Sequence, residues 1–390
     1  MSFRHERIDS HPPCDHLGFC LTTDLTGNGR PDLIVGGHGP FGRDPITPDD
    51  PPLRRLRSFV ERRFRAVHET QTKLFWYENP GWERHTISSD PTLKLDVSGT
   101  LHDVSENGRL DIISGEGLND HNIYWFEQPD DPRDEWTKHH ITDEFEKYHD
   151  IAFGDVDDDG DAELVGLSQE SETIFYYDIP DDPSREPWPD SHLTIVDDDI
   201  RVEGLSLVDI DDDGQTEILA GTHIYHQPSS NGEWTRESVA TGWDDNRVEV
   251  ADLDGDGELE LVYSEGDSPA LFSRLGRVAW FDRDGDDWTG QFLHEELVNP
   301  HTLQLGDFTG SGSTDIYVAE MGIGDNDDPT HYLFVNDGQC NFEKRVVSHG
   351  VPTHEAKATD VDGDGRLDII GKSYGPTLAD AHVDVWYNEL

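Results

Sequence analysis

One pattern of apolar and polar positions runs through the chain seven times. A short alternating segment such as IAFG or LQLG leads into an acidic nonapeptide, and an aliphatic run follows: LIVGG, IISGE, LVGLS, ILAGT, LVYSE, IYVAE and IIGKS. Alternation over a few residues marks a half-buried strand, and a short continuous apolar run bounded by turn residues marks a buried one. Every repeat therefore opens with two strands joined at a Gly-bearing turn. A third, aromatic strand comes next, reading KLFWYENP, NIYWFEQP, TIFYYDIP, HIYHQP, RVAWFD, HYLFVND and VDVWYNEL, and most repeats add a fourth segment such as WERHTI, WTKHHI or FEKRVV. Four strands per unit at about the period of a propeller blade predict one all-β domain over residues 1–390, a seven-bladed β-propeller of four-stranded blades.

The chain ends support this reading. The seventh unit stops at Leu390 after its third strand, while FRHERID at residues 3–9 has the fourth-strand pattern and precedes the first inner strand. The N-terminal strand is thus expected to complete the last blade. Nonapeptides begin at 24, 103, 155, 209, 252, 307 and 360, so the first blade carries an insertion, at about residues 40–72. Within it Leu53, Leu56, Val60, Phe64 and Val67 recur at helical spacing, and Arg54, Arg55, Arg57, Arg62, Arg63 and Arg65 form a basic island. Two readings stand: a helix salt-bridged to its own acidic body, or a basic lid that meets an anionic substrate or a protein partner.

Composition changes the picture in one respect. Asp plus Glu number 84 against 29 Lys plus Arg, a formal charge of -55, which strains a compact state by self-repulsion unless counter-ions are concentrated. The recurrent aromatic strands argue for a folded chain all the same, and the pairing of the two points to a halophilic protein. Scarce Lys and Arg count against nucleic-acid binding. No stretch approaches the ~20 apolar residues of a membrane span, and MSFRHERIDSHPP has no signal-peptide core, so a soluble, cytoplasmic protein without membrane partners is expected. Cys14, Cys20 and Cys340 are odd in number and lack CxxC spacing, which indicates buried thiols.

Within the nonapeptides, oxygen-bearing residues occupy positions 1, 3, 5 and 9, with Gly at 6 for a tight turn. Three loops are weaker sets: Asp24, Thr26, Asn28, Asp32; Asp103, Ser105, Asn107, Asp111; and Asp307, Thr309, Ser311, Asp315. Four are fully acidic: Asp155, Asp157, Asp159, Glu163; Asp209, Asp211, Asp213, Glu217; Asp252, Asp254, Asp256, Glu260; and Asp360, Asp362, Asp364, Asp368. Hard cations such as calcium take six to eight oxygens, so the full loops are candidate structural calcium sites. The alternative is an acidic turn that only gathers sodium or potassium from brine. EF-hands are excluded, because the twelfth residue is Gly166 or Tyr263 in the third and fifth loops and strands flank them. This DxDxDGxxD/E pattern resembles the FG-GAP and VCBS repeats of integrin-α-like propellers over almost the whole chain, a resemblance that implies fold and calcium but no activity. More loosely, WYENPGWERHTI, YHDIAFGDV and PHTLQLGDF resemble the propellers of sugar-active lyases and of aldos-2-ulose dehydratase, although the cupin domains of the dehydratase have no counterpart here.

Because each acidic loop joins strand one to strand two, the start of strand one lies at the opposite rim. Six residues before each loop stand Gly18, Val97, His149, Glu203, Asn246, His301 and His354. Imidazoles with a carboxylate suit a transition metal such as zinc or manganese, and His149, Glu203, His301 and His354 are expected to converge at the channel mouth with a position left open. Lys372 and Tyr374, at the end of a second strand on the same rim, join the histidines as candidates for proton transfer in a β-elimination. These residues describe a metal-dependent carbohydrate lyase or sugar dehydratase acting on a carbohydrate or sugar acid. The competing reading is a non-catalytic propeller that holds a protein or glycan.

Overall fold

The computed structural model describes residues 2–38, 73–117, 120–227, 232–243, 245–266, 275–285, 287–322, 326–375 and 381–389. The basic insertion expected at about 40–72, with both of its readings, lies outside them. Seven four-stranded antiparallel sheets make up the ring, six of them running in chain order from inner to outer strand and the seventh taking its outer strand from the N-terminus. The first strands of successive blades pack side by side around the axis, and Glu355–Thr359 of the seventh meets His16–Thr23 of the first. Among the described residues no helix is long and apolar enough to cross a membrane.

Burial follows position in the blade. Second strands such as Asp111–Glu116 and Glu163–Ser168 are buried at every residue, because each is flanked by strands of its own sheet and covered on both faces by adjoining blades. Aliphatic side chains without alternation are what such a strand requires. Third strands supply the aromatic filling between blades, with Trp76, Trp125 and Trp386 all but fully buried. The outermost strand Phe342–His349, by contrast, buries none of its residues and is accordingly polar.

Ring closure is as the chain ends suggest. Phe3–Asp9 pairs antiparallel with Val383–Asn388 as the outer strand of the last blade. Asp384, 1 % exposed, accepts from His5 at 2.7 Å and from Arg7 at 3.0 Å across this seam, and its second oxygen bonds His382. Burial alone would raise Asp384, but His382, His5 and Arg7 outweigh it and hold the carboxyl below the usual range.

The ninth residue of every acidic loop is at most 2 % exposed and accepts a hydrogen bond from the start of its own loop, as Asp32 does from Leu25 N–H at 3.0 Å. Where that residue is Asp, its other oxygen holds the N–H of the amide residue ending strand three: Asn79, Gln128, Asn336 or Asn388. The amide side chain then donates to a loop carbonyl of the preceding blade, Asn79 to Val361 at 2.7 Å, Gln128 to Leu25 at 3.4 Å, Asn336 to Leu253 at 2.6 Å and Asn388 to Phe308 at 2.8 Å. Four junctions between blades are pinned in this way.

Candidate metal centre at the channel mouth

His149, Glu203, His301 and His354 reach the mouth because they sit off the strand ladders. His149 is the extra residue of a β-bulge between Tyr148 and Asp150, and Gly18 and Val97 fall within equivalent irregularities. A bulge re-aims the side chain that it leaves unpaired. Glu203, His301 and His354 come just before their strands begin. In the first blade no side chain fits, since a Cβ on Gly18 would stand 2.2 Å from the Asp96 carbonyl oxygen of the neighbouring blade.

His149, Glu203 and His301, from blades three, four and six, offer ligand atoms within 4.8 Å of one another, and all three are buried. Each imidazole is oriented from behind. His149 Nδ1 is 2.7 Å from Asp150 Oδ2, and since a carboxylate only accepts, Nδ1 carries the hydrogen. His301 Nδ1 donates to the His354 carbonyl at 2.9 Å. In both rings Nε2 is left to face the cluster, the orientation in which metal-binding histidines are held. His149 Nε2 lies 3.2 Å from Glu203 Oε1, and a lone pair facing a carboxylate at that distance needs a positive centre, either a proton or an ion. Glu203 Oε1 also takes a hydrogen bond from Gln169 at 2.5 Å, while buried Oε2 accepts none.

Arg247, one residue past the ring position Asn246 of its blade, occupies the centre of the cluster. Its Nη2 donates to His301 Nε2 and stands 3.6 Å from Glu203 Oε2, while Nη1 reaches Asp150 Oδ1 at 3.3 Å. Burial, reinforced by Arg247, holds His301 well below its usual range, so it meets the guanidinium as a neutral acceptor. Asp150 is lowered as well, because His149 and Arg247 together outweigh the effect of burial.

His354 does not join the three. It stacks on His301 at 4.0 Å between ring centres, and the Tyr374 ring lies 4.7 Å from that of His354 at a tilt of 47°. Lys372 is buried, with Nζ donating to the Leu17 carbonyl at 2.7 Å, to the Gly18 carbonyl and to His354 Nδ1. Burial brings Lys372 down to about 8, partly countered by Glu355, and keeps His354 well below its usual range with help from Lys372. Lys372 thereby fixes His354 as a neutral ring whose hydrogen is on Nε2.

Below the mouth the channel holds a cavity of about 190 Å³, lined among others by Asp150, Arg247, Glu249, His301, Gln304 and Lys357. Glu249 is partly exposed and lines this cavity, and burial pushes it up to about 7 against the opposing charge of Lys357.

At the far rim the four fully acidic loops each gather three carboxylates within 4.8 Å: Asp155, Asp157, Glu163; Asp209, Asp211, Glu217; Asp252, Asp254, Glu260; and Asp360, Asp362, Asp368. Positions 1, 3 and 9 meet, and position 5 stays outside the group. Asp159, Asp213, Asp256 and Asp364 instead accept the N–H two residues on, capping the turn. Burial raises Glu163 and Glu260 to about 7, and the loop aspartates add to the rise.

Ring, closure and loops together define a seven-bladed β-propeller. The chain carries FG-GAP-like repeats, the family model matching three times, over residues 103–166, 209–263 and 307–371. No curated protein matches it. Among solved structures it is similar to the Vibrio cholerae biofilm matrix protein Bap1, with 11% identity and a TM-score of 0.55 over 100% of this chain and 92% of that one. It is also similar to an ancestral GH74 enzyme, with 12% identity and a TM-score of 0.56 over 95% of this chain and 48% of the other. A fungal alcohol oxidase of the AA5 family, in complex with copper, shares 10% identity and a TM-score of 0.52 over 99% of this chain and 76% of its own. At such identities the likeness is one of fold alone.

Proposed function

We propose that the channel mouth is the active centre of a metal-assisted carbohydrate lyase or sugar dehydratase, and that calcium in the four full loops stiffens the ring around it. One observation carries the reading: two imidazoles with Nδ1 committed elsewhere turn Nε2 toward a buried carboxylate, and His149 and Glu203 face each other at 3.2 Å across a place that calls for positive charge. His149, Glu203 and His301 would hold a divalent transition metal such as zinc or manganese, which when bound supplies a Lewis acid for a sugar carbonyl or carboxylate. The remaining chemistry belongs to the chain. Tyr374, whose ring lies beside His354, takes the proton from the carbon next to the carbonyl when it is deprotonated for the step. The electron pair left behind forms the double bond, the β C–O bond breaks, and the phenol returns its proton to the departing oxygen, which leaves as water or as a sugar alcohol. His354 contributes its Nε2–H to the developing oxyanion as a neutral donor, and Lys372 is a positioning residue for it.

Elemental analysis of protein purified at high salt, followed by incubation with sugar acids and neutral uloses while ultraviolet absorbance reports new conjugated unsaturation, tests the proposal. A stoichiometric transition metal that the double variant His149→Ala/His301→Ala loses while keeping its calcium is the expected result. Parent protein without such a metal, or a double variant that keeps it, would leave the non-catalytic binding propeller as the reading.

A further inference from the structure

Arg247 introduces a conflict whose resolution names the substrate class. The three acceptors His149 Nε2, His301 Nε2 and Glu203 can serve a divalent ion or a guanidinium, and Arg247 Nη2 already donates to His301 Nε2 and lies 3.6 Å from Glu203 Oε2. A metal held by the same atoms must displace that end of the guanidinium. Arg247 has somewhere to go, since its side chain is 14% exposed, it stands at the wall of the channel cavity, and Nη1 keeps a berth on Asp150 Oδ1 at 3.3 Å.

Charge then selects what it meets. Before any proton on the imidazoles is counted, Arg247 against Asp150 and Glu203 leaves these three side chains one negative charge in excess. A divalent ion reverses this to one positive charge in excess, within a mouth where His149, Glu203 and His301 are all at most 5 % exposed. An uncompensated charge in such a setting is costly, and a monoanionic carboxylate restores balance. Arginine also matches that partner in shape, because its planar fork binds a carboxylate through two parallel hydrogen bonds.

We propose that Arg247 is both the resident competitor of the channel metal and the receptor for a substrate carboxylate, so that the substrate is a sugar acid whose carboxylate draws Arg247 away as the metal enters. This rests on the metal reading of the same site. By linkage, a sugar acid and the metal each tighten the binding of the other through Arg247.

The test uses cobalt(II) alone as the metal probe, titrated into metal-stripped full-length protein whose loops are kept saturated with calcium; nitrogen-ligated cobalt is read by its visible absorption, which all-oxygen loops do not imitate. Arg247→Met keeps the apolar stem and loses the charge, Arg247→Lys keeps the charge and loses the fork, and circular dichroism and melting curves confirm that each is folded. The expected outcome is that Arg247→Met binds cobalt at least tenfold tighter than the parent, and that glucuronate tightens cobalt binding severalfold in the parent, little in Arg247→Lys and not at all in Arg247→Met, while neutral glucose does nothing to any of them. Equal or weaker cobalt binding by folded Arg247→Met, or a glucuronate effect that survives in it, overturns the inference and leaves the metal site standing. If neither parent nor variant shows nitrogen-ligated cobalt, the metal reading itself falls and takes the inference with it.

Discussion

At the scale of single residues, the informative positions are buried polar groups whose partners can be counted. Asn336 is one. Its side chain donates to the Leu253 carbonyl of the preceding blade at 2.6 Å while its N–H is held by Asp315 at 2.9 Å. Asn336→Ala should lose the side-chain bond and leave a buried carbonyl short of a donor, at a cost of about 1–3 kcal/mol, measured by chemical denaturation. Glu249 makes the opposite case. Its folded pKa of about 7 exceeds the ordinary carboxylate value, so the folded state binds more protons than the unfolded one in that window. Stability contributed through Glu249 is therefore present at low pH and lost as pH rises toward 7. Glu249→Gln should be more stable than the parent at pH 8 by about 1 kcal/mol, once the full shift is discounted for channel water, and the difference should vanish only below the ordinary carboxyl value of 4.5. A pH-independent difference between the two melting curves would contradict this assignment.

Elements show how much the sequence discloses and where it stops. Blade count, strand order and the return of residues 3–9 to the last blade were all legible, because period-two alternation and a repeated turn motif depend on local chemistry. The rim register was legible too, since counting back from each loop puts His149, Glu203 and His301 in equivalent places. What counting could not supply was side-chain direction: His354 stacks behind His301, and Arg247, one residue past the ring position of its own blade, reaches into the cluster. Nor did a cation-ligand reading of the loops show that Asp at position 9 also holds the amide residue that pins adjoining blades, or that the position 5 carboxylate of the full loops caps the turn. The one available signal was the pairing of Asp at position 9 with Asn or Gln after strand three. The seam strand yields its own prediction. Asp384→Asn removes a buried charge with three partners and should lower stability by about 3 kcal/mol near neutral pH. Because Asp384 is held below its usual range, that contribution is present above the unfolded pKa and lost as pH falls through the folded one, so the variant and parent should converge in acid.

For the whole molecule, the charge of -55 is the dominant fact. Counter-ions screen it, and ions that bind the acidic loops do so only in the folded state, so both are expected to stabilise the ring. At fixed high potassium chloride, a calcium chelator should lower the melting temperature, and dilution to low salt in the presence of chelator should unfold the protein. A melting temperature indifferent to both treatments would show that the acidic surface and loops carry no such load. The pins between blades add a further consequence. They bridge the junctions seven to one, one to two, five to six and six to seven, and thus surround the seam where the chain ends meet. Among the described residues the arc from blade two to blade five has no such pin. The ring resembles a bracelet with a reinforced clasp and a more pliant opposite side, and His149 and Glu203 belong to blades three and four of that pliant arc, whereas His301 stands on the reinforced one. Breathing of the ring would then widen the gap between the acceptors without opening the clasp, and amide exchange should be faster in 148–220 than in 355–375 and 381–388.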